Sequence, residues 1–340
     1  MRKSTLLTLL VGSTLLASTA VGTTGEVLND LNKRGVLRCG VSTGKIGFSK
    51  PDNAGKWTGF DVDFCKAFAV ALFNNPNKVE YVPTTGANRF VALQNREIDL
   101  LSRSATWTLS RDGGLGLAWG PTTFYDGQGF MVSKKLGVKS AKELNGASMC
   151  ISQGTTGELG ASDYFRANGW KYEPIVSDAK DDLFNSFLAG RCDVITDDKS
   201  TLASMAINSA PNPDDFDILP ETISKEPLGP SVRQGDPEWF NIMRWTVFAV
   251  IQAEELGITS KNIDTFKTST KPEVKRLLGL QEGVGKNLGL RESWAYDVIK
   301  TMGNYGEIYD RHFTSTLHLK RDKLNQLWTN GGMLYSPPFN

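Results

Sequence analysis

One short stretch, residues 99–111, gathers the groups that suit a small carboxylate: hydroxyls at Ser104 and Thr106, backbone donors, and the guanidinium of Arg111. A planar arginine fork can grip both oxygens of a carboxylate at once, which a lysine cannot. An apolar, strand-like run over 98–101 leads into this segment, which the sequence predicts to be a polar loop. The same composition also serves a surface loop with a solvated arginine.

A second stretch echoes the first. Phe90 precedes Asp99 by nine residues, and Phe184 precedes Asp193 by the same nine. Each time a helix-like segment runs into a strand that opens with Asp and an apolar pair. Five residues past each Asp, where the strand is expected to end, stand Ser104 and Asp198. Ligands of open parallel sheets bind at the carboxyl ends of the strands. The echo therefore predicts two similar units presenting Ser104 and Asp198 from equivalent positions.

The elements that must position these residues follow in order. Strands are predicted over 36–41, 79–83, 129–132, 147–152, 172–176 and 192–196. Helices are predicted from 59, with Phe64, Cys65, Phe68, Ala69 and Leu72 on one buried face, and over 88–95, 140–144, 178–189 and 199–208. Another helix follows Gln153-Gly154-Thr155-Thr156-Gly157 and runs to about residue 168. Asp61 and Asp63 fall in the first turn of their helix, where capping and the helix dipole account for them. Residues 124–129 read as a turn-like connector, and 211–230 as a proline-rich one from which 226–233 could return the chain to the first unit. A helix over 239–255 carries Arg244 and Gln252, which fits half-burial better than a membrane span. Helical patches at 271–280, 293–304 and 324–329 and an irregular tail complete the chain. Residues 257–340 are expected to pack on the first unit. Strands alternating with helices mean α/β units with parallel strands.

The start of the chain has the form of a signal peptide: Arg2 and Lys3, an apolar core over 6–16, then small residues at 18, 20 and 22. No cysteine stands at that junction to take a lipid. Removal of residues 1–22 takes the formal charge from +1 to −1 and leaves two domains' worth of chain. A balanced charge argues against nucleic acid as a partner. Four cysteines in an exported chain suggest two disulfides, for which three pairings exist. If the two halves fold as separate lobes, the pairs are Cys39 with Cys65 and Cys150 with Cys192.

Other chemistry finds little support. His312 and His318 are the only histidines and lie late in the chain. No phosphate loop or zinc-ligand spacing is present. No metal or cofactor is therefore expected. A carboxylate-based lyase stays open as the enzymatic alternative.

These residues resemble a known family. Gly59-Phe60-Asp61-Val62-Asp63, Arg89-Phe90 with Leu93 and Asp99, the run from Ser104 to Arg111, Gln153-Gly154-Thr155-Thr156, and Gly190-Arg191-Cys192-Asp193 leading to Asp198 are similar, in this order, to type II periplasmic substrate-binding proteins for polar amino acids. The cysteines, Ser102-Arg103, Thr106-Trp107-Thr108, Tyr125-Asp126-Gly127-Gln128-Gly129 and the long C-terminal extension resemble the general L-amino-acid-binding subgroup. The resemblance implies an α/β Venus flytrap of two lobes, each a βαβ-type mixed sheet flanked by helices. Lobe I would take 26–128 and 230–340, and lobe II 129–229. It implies a periplasmic monomer that binds an L-amino acid and delivers it to an inner-membrane ABC permease with its ATPase, without catalysis. The rival on the same fold is a lyase of the cyclohexadienyl-dehydratase type.

Roles follow residue by residue. The resemblance implies that Arg111 clamps the α-carboxylate, that Ser104 and Thr106 take the ammonium and a carboxylate oxygen, and that Thr155 and Thr156, at a helix N-terminus, hold the carboxylate from the second lobe. Asp198 would pair with the α-ammonium, with Asp197 a supporting or solvated acid. The chain departs from narrow-range relatives in the loop Ser42-Thr43-Gly44-Lys45-Ile46-Gly47-Phe48 and at Gly86-Ala87, where acidic or aromatic readers are missing. Few fixed readers imply a roomy pocket and a broad range. Lys45 and Arg103 would favour acidic or amide side chains if they face the ligand; solvent exposure is the alternative for Lys45. Trp107 is a pocket wall or a packing residue.

Overall fold

The computed structural model describes residues 25–340; the predicted signal peptide lies outside the described residues. A ten-stranded mixed sheet threads both lobes. Its main path runs Val79–Thr84, Leu37–Ser42, Leu100–Thr106, Ser224–Arg233, Phe124–Ser133, Val194–Asp198, Ser148–Ser152 and Glu173–Ser177. The three strands at the first end are parallel, as are the three at the second. Between them the two long crossover strands, Phe124–Ser133 and Ser224–Arg233, pair antiparallel.

Two predicted breaks are strand instead. Residues 124–129 continue into the crossover strand Phe124–Ser133, because pairing with Ser224–Arg233 satisfies their backbone. The polar segment after Leu101 likewise stays in the strand Leu100–Thr106, held by Leu228 opposite Thr106 and Gly229 opposite Ala105. Ser104 bends that strand, with a φ of 51°. Thr106, rather than Ser104, therefore ends it, while Asp198 does end its own strand, Val194–Asp198.

The helix Phe60–Phe73 is buried nearly all round rather than on one face. The sheet covers one side, and the helices Pro237–Glu255 and Trp294–Met302 cover the other. Its first turn is seated by Gly59, whose φ of +132° and a Cβ position only 2.1 Å from the Phe48 carbonyl oxygen leave room for glycine alone. Neither Asp61 nor Asp63 caps the helix. Asp61 accepts a hydrogen bond from Ser104 Oγ at 2.7 Å. Asp63 takes Lys66, Arg311 and His312. Apart from Lys66, these partners lie far away in sequence, where a local dipole argument cannot reach them.

The first lobe's core joins residues from both ends of the chain. Phe48, Phe60, Phe124, Tyr309 and Phe313 pack ring on ring, with Phe48 and Phe313 5.0 Å apart between centroids. Each buried ring of this kind contributes on the order of 1.5–3 kcal/mol. Trp294, Ile299, Leu327 and Phe339 enter the same core, so the segment after 257 packs against the first lobe as expected. The patch predicted helical at 324–329 is not an α-helix; a single 3-10 turn, Trp328–Asn330, overlaps its end. Asn325 is spent instead on the backbone of Tyr125, accepting from its N–H and donating to its carbonyl, both at 2.8 Å. The second lobe packs the helix Thr156–Ala167 on one sheet face, through Ala161 and Phe165. Lys180–Leu188 and Lys199–Ser209 cover the other.

Cys39–Cys65 and Cys150–Cys192 are bonded, with Cα separations of 6.1 and 5.8 Å. Each closes a loop within one lobe, which in the chain-entropy account stabilises by roughly 3–4 kcal/mol apiece. No helix of the described residues is long and apolar enough to cross a membrane.

Candidate functional site

The carboxyl ends of the strands meet in a cleft between the lobes, beside the two crossovers. The structure brings Arg103, Ser104, Thr106 and Arg111 of the first lobe into it, with Thr155, Thr156 and Asp198 of the second. Free space is small, about 40 Å³, against the roomy pocket expected from the sequence, and Lys45, Arg103, Lys180 and Asp198 are among the side chains that line it.

Trp107 is the residue not brought in. The residue is 44% exposed and its Nε1 donates to Asp112 Oδ2 at 3.1 Å. Being the first residue past the strand, it turns outward to the surface.

Lys45 is buried, against the solvent-exposed alternative. It is 3% exposed, and its Nζ makes an ion pair with Asp198 Oδ2 across the cleft at 2.7 Å. The loop holds it there: Lys45 N donates to the Ser49 carbonyl, Ser49 N donates back, and Nζ lies 4.3 Å from the Phe48 ring centroid. Asp197 is neither solvated nor idle; it pairs with Lys180 and its Oδ1 accepts from the Asp198 N–H at 2.8 Å. Burial pushes Lys45 down, but Asp198, Asp197 and Asp126 together outweigh it and leave its ammonium above the ordinary range.

Three arginines crowd the first-lobe side. Arg111 donates to the Thr106 carbonyl at 2.7 Å and lies 5.0 Å from the Phe90 ring centroid. Arg89, buried at the start of its helix, donates to the carbonyls of Gly86 and, across the cleft, Gly154. Arg103 is 8% exposed, and its buried Nε has no hydrogen-bond partner among the described residues. Burial lowers the pKa of all three, to about 10 for Arg103, where Asp61 and Asp197 partly oppose it. Burial costs these cations more than the surrounding carboxylates return, so an incoming negative group would stabilise this wall.

Glu226 supplies the opposite charge at the hinge end. It accepts hydrogen bonds from Thr106, Thr156 and Ser224. Burial and then the charge of Asp198 raise its pKa. A cation arriving between these two carboxylates would relieve both. Thr155 is committed to its own helix, Thr156–Ala167, which it caps. Its Oγ1 donates to the Ser152 carbonyl at 2.7 Å and accepts from Glu158 N. Gly86, expected only to be small, sits so close to the second lobe that a Cβ would stand 2.6 Å from the Gln153 carbonyl oxygen.

Sequence reasoning missed Arg89, Lys180 and Glu226. Arg89 and Lys180 open helices, and Glu226 stands in a proline-rich segment read as a connector. The available signals were the position of the first two just after strand ends, where ligands bind, and, for Arg89, its place in the motif that carries the family resemblance. His312 forms no part of the cleft; it pairs with Asp63. No cluster among the described residues could hold a metal ion.

The family described as bacterial extracellular solute-binding proteins, family 3, matches residues 37–262. The chain is 50% identical to the general L-amino acid-binding periplasmic protein AapJ of Rhizobium johnstonii, over 99% of both chains. It is 47% identical to the glutamate/glutamine/aspartate/asparagine-binding protein BztA of Rhodobacter capsulatus, over 96% of this chain and 98% of that one. Among solved structures it is similar to an ABC transporter periplasmic binding protein of Brucella ovis with glutathione bound. The identity is 46% and the TM-score 0.89, covering 92% of this chain and 99% of that one.

Proposed function

We infer the function of this chain from its membership, since it belongs to the bacterial extracellular solute-binding proteins of family 3, and from the charge pattern of its cleft. It is the substrate-binding component of an amino-acid ABC importer, taking L-amino acids between its two lobes and handing them to the permease. The observation that carries this reading is the pairing of a wall of buried arginines with buried carboxylates at the hinge end. An α-amino acid needs one fixed cation, one fixed anion and hydrogen bonds for what remains.

In this reading Arg111 grips the α-carboxylate, aided by the helix N-terminus at Thr155 and Thr156. Asp198 takes the α-ammonium when Lys45 releases it, and Ser104 and Thr106 complete the hydrogen bonding. Arg103 reaches the side chain and favours acidic and amide ligands over apolar ones. The relatives named for glutamate, glutamine, aspartate and asparagine and for general L-amino acids support a broad polar range. Glutathione, bound in the Brucella ovis structure, carries the same α-amino-acid head at one end.

Lobe I comprises 26–128 and 230–340, and lobe II 129–229; they close as rigid bodies about the two crossover strands. Contacts from both lobes exist together only in the closed form, so a ligand shifts the population toward it. The protein works in the periplasm as a monomer after loss of residues 1–22, and its partners are an inner-membrane permease and the attached ATPase. Binding without catalysis is favoured over the lyase because the relatives at 50% and 47% identity are named as binding proteins.

A thermal-shift screen of the twenty L-amino acids with D-enantiomers as controls tests the reading, because a ligand of the native state raises Tm by mass action. A rise with polar L-amino acids is expected. No rise with any of them, or turnover of prephenate or arogenate, would overturn it.

A further inference from the structure

We propose that Glu226 is a positioning residue that fixes the polarity of Thr106 and Thr156. It thereby makes the hinge end of the cleft an ammonium subsite, one that accepts α-amino acids and rejects their 2-oxo counterparts. The proposal rests on the amino-acid reading above and assigns within it a residue that the sequence did not single out.

Glu226 is 1% exposed and comes from the crossover strand Ser224–Arg233. Its Oε2 accepts from Thr106 Oγ1, the last residue of a first-lobe strand, and from Thr156 Oγ1 at 2.9 Å, the first residue of a second-lobe helix. Its Oε1 accepts from Ser224 Oγ at 2.6 Å. The ion pairs of the cleft engage Asp198 and Asp197, and none among the described residues engages Glu226. This carboxylate is thus buried and hydrogen-bonded, with no cation in ion-pair contact among the described residues; the charge of Arg111 reaches it only from a distance.

The direction of the hydroxyl protons follows from the geometry. The two threonine oxygens are 3.2 Å apart, and each is nearer to Glu226 than to the other. A carboxylate only accepts, and a hydroxyl has one proton and two lone pairs. Both protons therefore point at Glu226, and each threonine has only lone pairs left to offer the cleft. Two acceptors backed by a buried negative charge suit a charged N–H donor and repel a carbonyl or carboxylate oxygen. Thr156 then serves the ligand's carboxylate through its place at the helix N-terminus, not through its hydroxyl. Because the three oxygens come from both lobes and the crossover between them, closure itself assembles the subsite.

Exchanging the carboxylate for an amide reverses this polarity. In Glu226→Gln the amide nitrogen donates to one threonine oxygen and frees that hydroxyl proton to turn toward the cleft. Calorimetry on the full chain with L-glutamate and 2-oxoglutarate as probes reads the effect. The unaltered protein is expected to prefer L-glutamate by about 100-fold or more, as a site built for a donor rejects an analogue lacking it. Glu226→Gln should lose about tenfold or more of that preference, the scale of one charge-assisted hydrogen bond. Glu226→Asp, which keeps the charge, should retain most of it. Equal weakening of both probes in Glu226→Gln, the mark of a merely structural role, or an unchanged preference, would overturn the proposal. Should Glu226→Gln fail to fold, Thr156→Val gives the same reading: a lost preference supports the proposal and an unchanged one overturns it. If the unaltered protein binds none of the twenty L-amino acids, the amino-acid reading itself falls; L-glutamate binding with intact discrimination in the variants removes only the role of Glu226.

Discussion

Lys45 Nζ and Asp198 Oδ2 meet across the cleft at 2.7 Å, joining residues 153 apart in the chain. The lysine thereby holds the carboxylate that a ligand's ammonium would use, and it links the lobes through the protein's own charges. A ligand that takes Asp198 must leave Lys45 buried with a new partner. An acidic side chain can supply one and an apolar side chain cannot. Lys45→Met should therefore strengthen binding of L-alanine and weaken binding of L-glutamate, moving the ratio of their affinities by about tenfold or more, the scale of one buried charged hydrogen bond. Calorimetry with the two amino acids measures the ratio, and an unchanged value would sink this role for Lys45.

Arg111 and Asp198 form the two poles of the proposed clamp. Removing one partner of a buried charge pair leaves the other unpaired. Arg111→Ala and Asp198→Ala should each weaken amino-acid binding by at least ~2 kcal/mol, about 30-fold in Kd. The comparison needs a ligand that the unaltered protein binds well in the thermal-shift screen. Full affinity in either variant would remove that residue from the site.

Local patterns carried much of this structure and failed at identifiable places. Strands such as 79–83 and helices such as 199–208 are written in nearest-neighbour periodicity, so they were legible. Residues 124–129 were not, because two glycines and an aspartate read as a turn until a partner strand is in place. The polar end of Leu100–Thr106 failed for the same reason: its backbone is satisfied by Leu228 and Gly229, over a hundred residues on. In the cleft, the echo and the family resemblance led to Ser104, Arg111 and Asp198, which share one lining. The burial of Lys45 was not decided by the sequence, since a lysine in a glycine-rich loop is ordinarily exposed and its chief partner, Asp198, lies in the other lobe. Glu226 stayed hidden because its meaning depends on two threonines from different lobes.

Arg103 is buried, and its Nε has no hydrogen-bond partner among the described residues. Such a group destabilises the unliganded fold and gains most from a ligand anion. Arg103→Met keeps the apolar stem and removes the charge. It should leave the Tm of the ligand-free protein unchanged or raise it, since the cost of burying the guanidinium outweighs the attraction of Asp61 and Asp197. It should also lower affinity for L-glutamate and L-aspartate more than for L-alanine. A lower Tm together with equal losses for all three would show that Arg103 is a packing residue instead.

Asp63 ties the helix Phe60–Phe73 to the C-terminal extension through Arg311 and His312. Burial raises its pKa, but His312, Lys66 and Arg311 overcome that and bring it down to about 2 from the ordinary 3.8. Between these values the unfolded chain takes up a proton that the folded chain does not, so stability falls as pH falls. The contribution is complete above about pH 4 and is lost as the pH drops through about 2; the shift corresponds to about 2 kcal/mol. Asp63→Asn should lower neutral-pH stability by roughly that amount and flatten the dependence between about pH 4 and 2. Urea unfolding across that range, followed by circular dichroism, measures both. An Asp63→Asn protein whose acid limb keeps the slope of the unaltered chain would show that the Asp63 cluster is not what anchors the extension against acid.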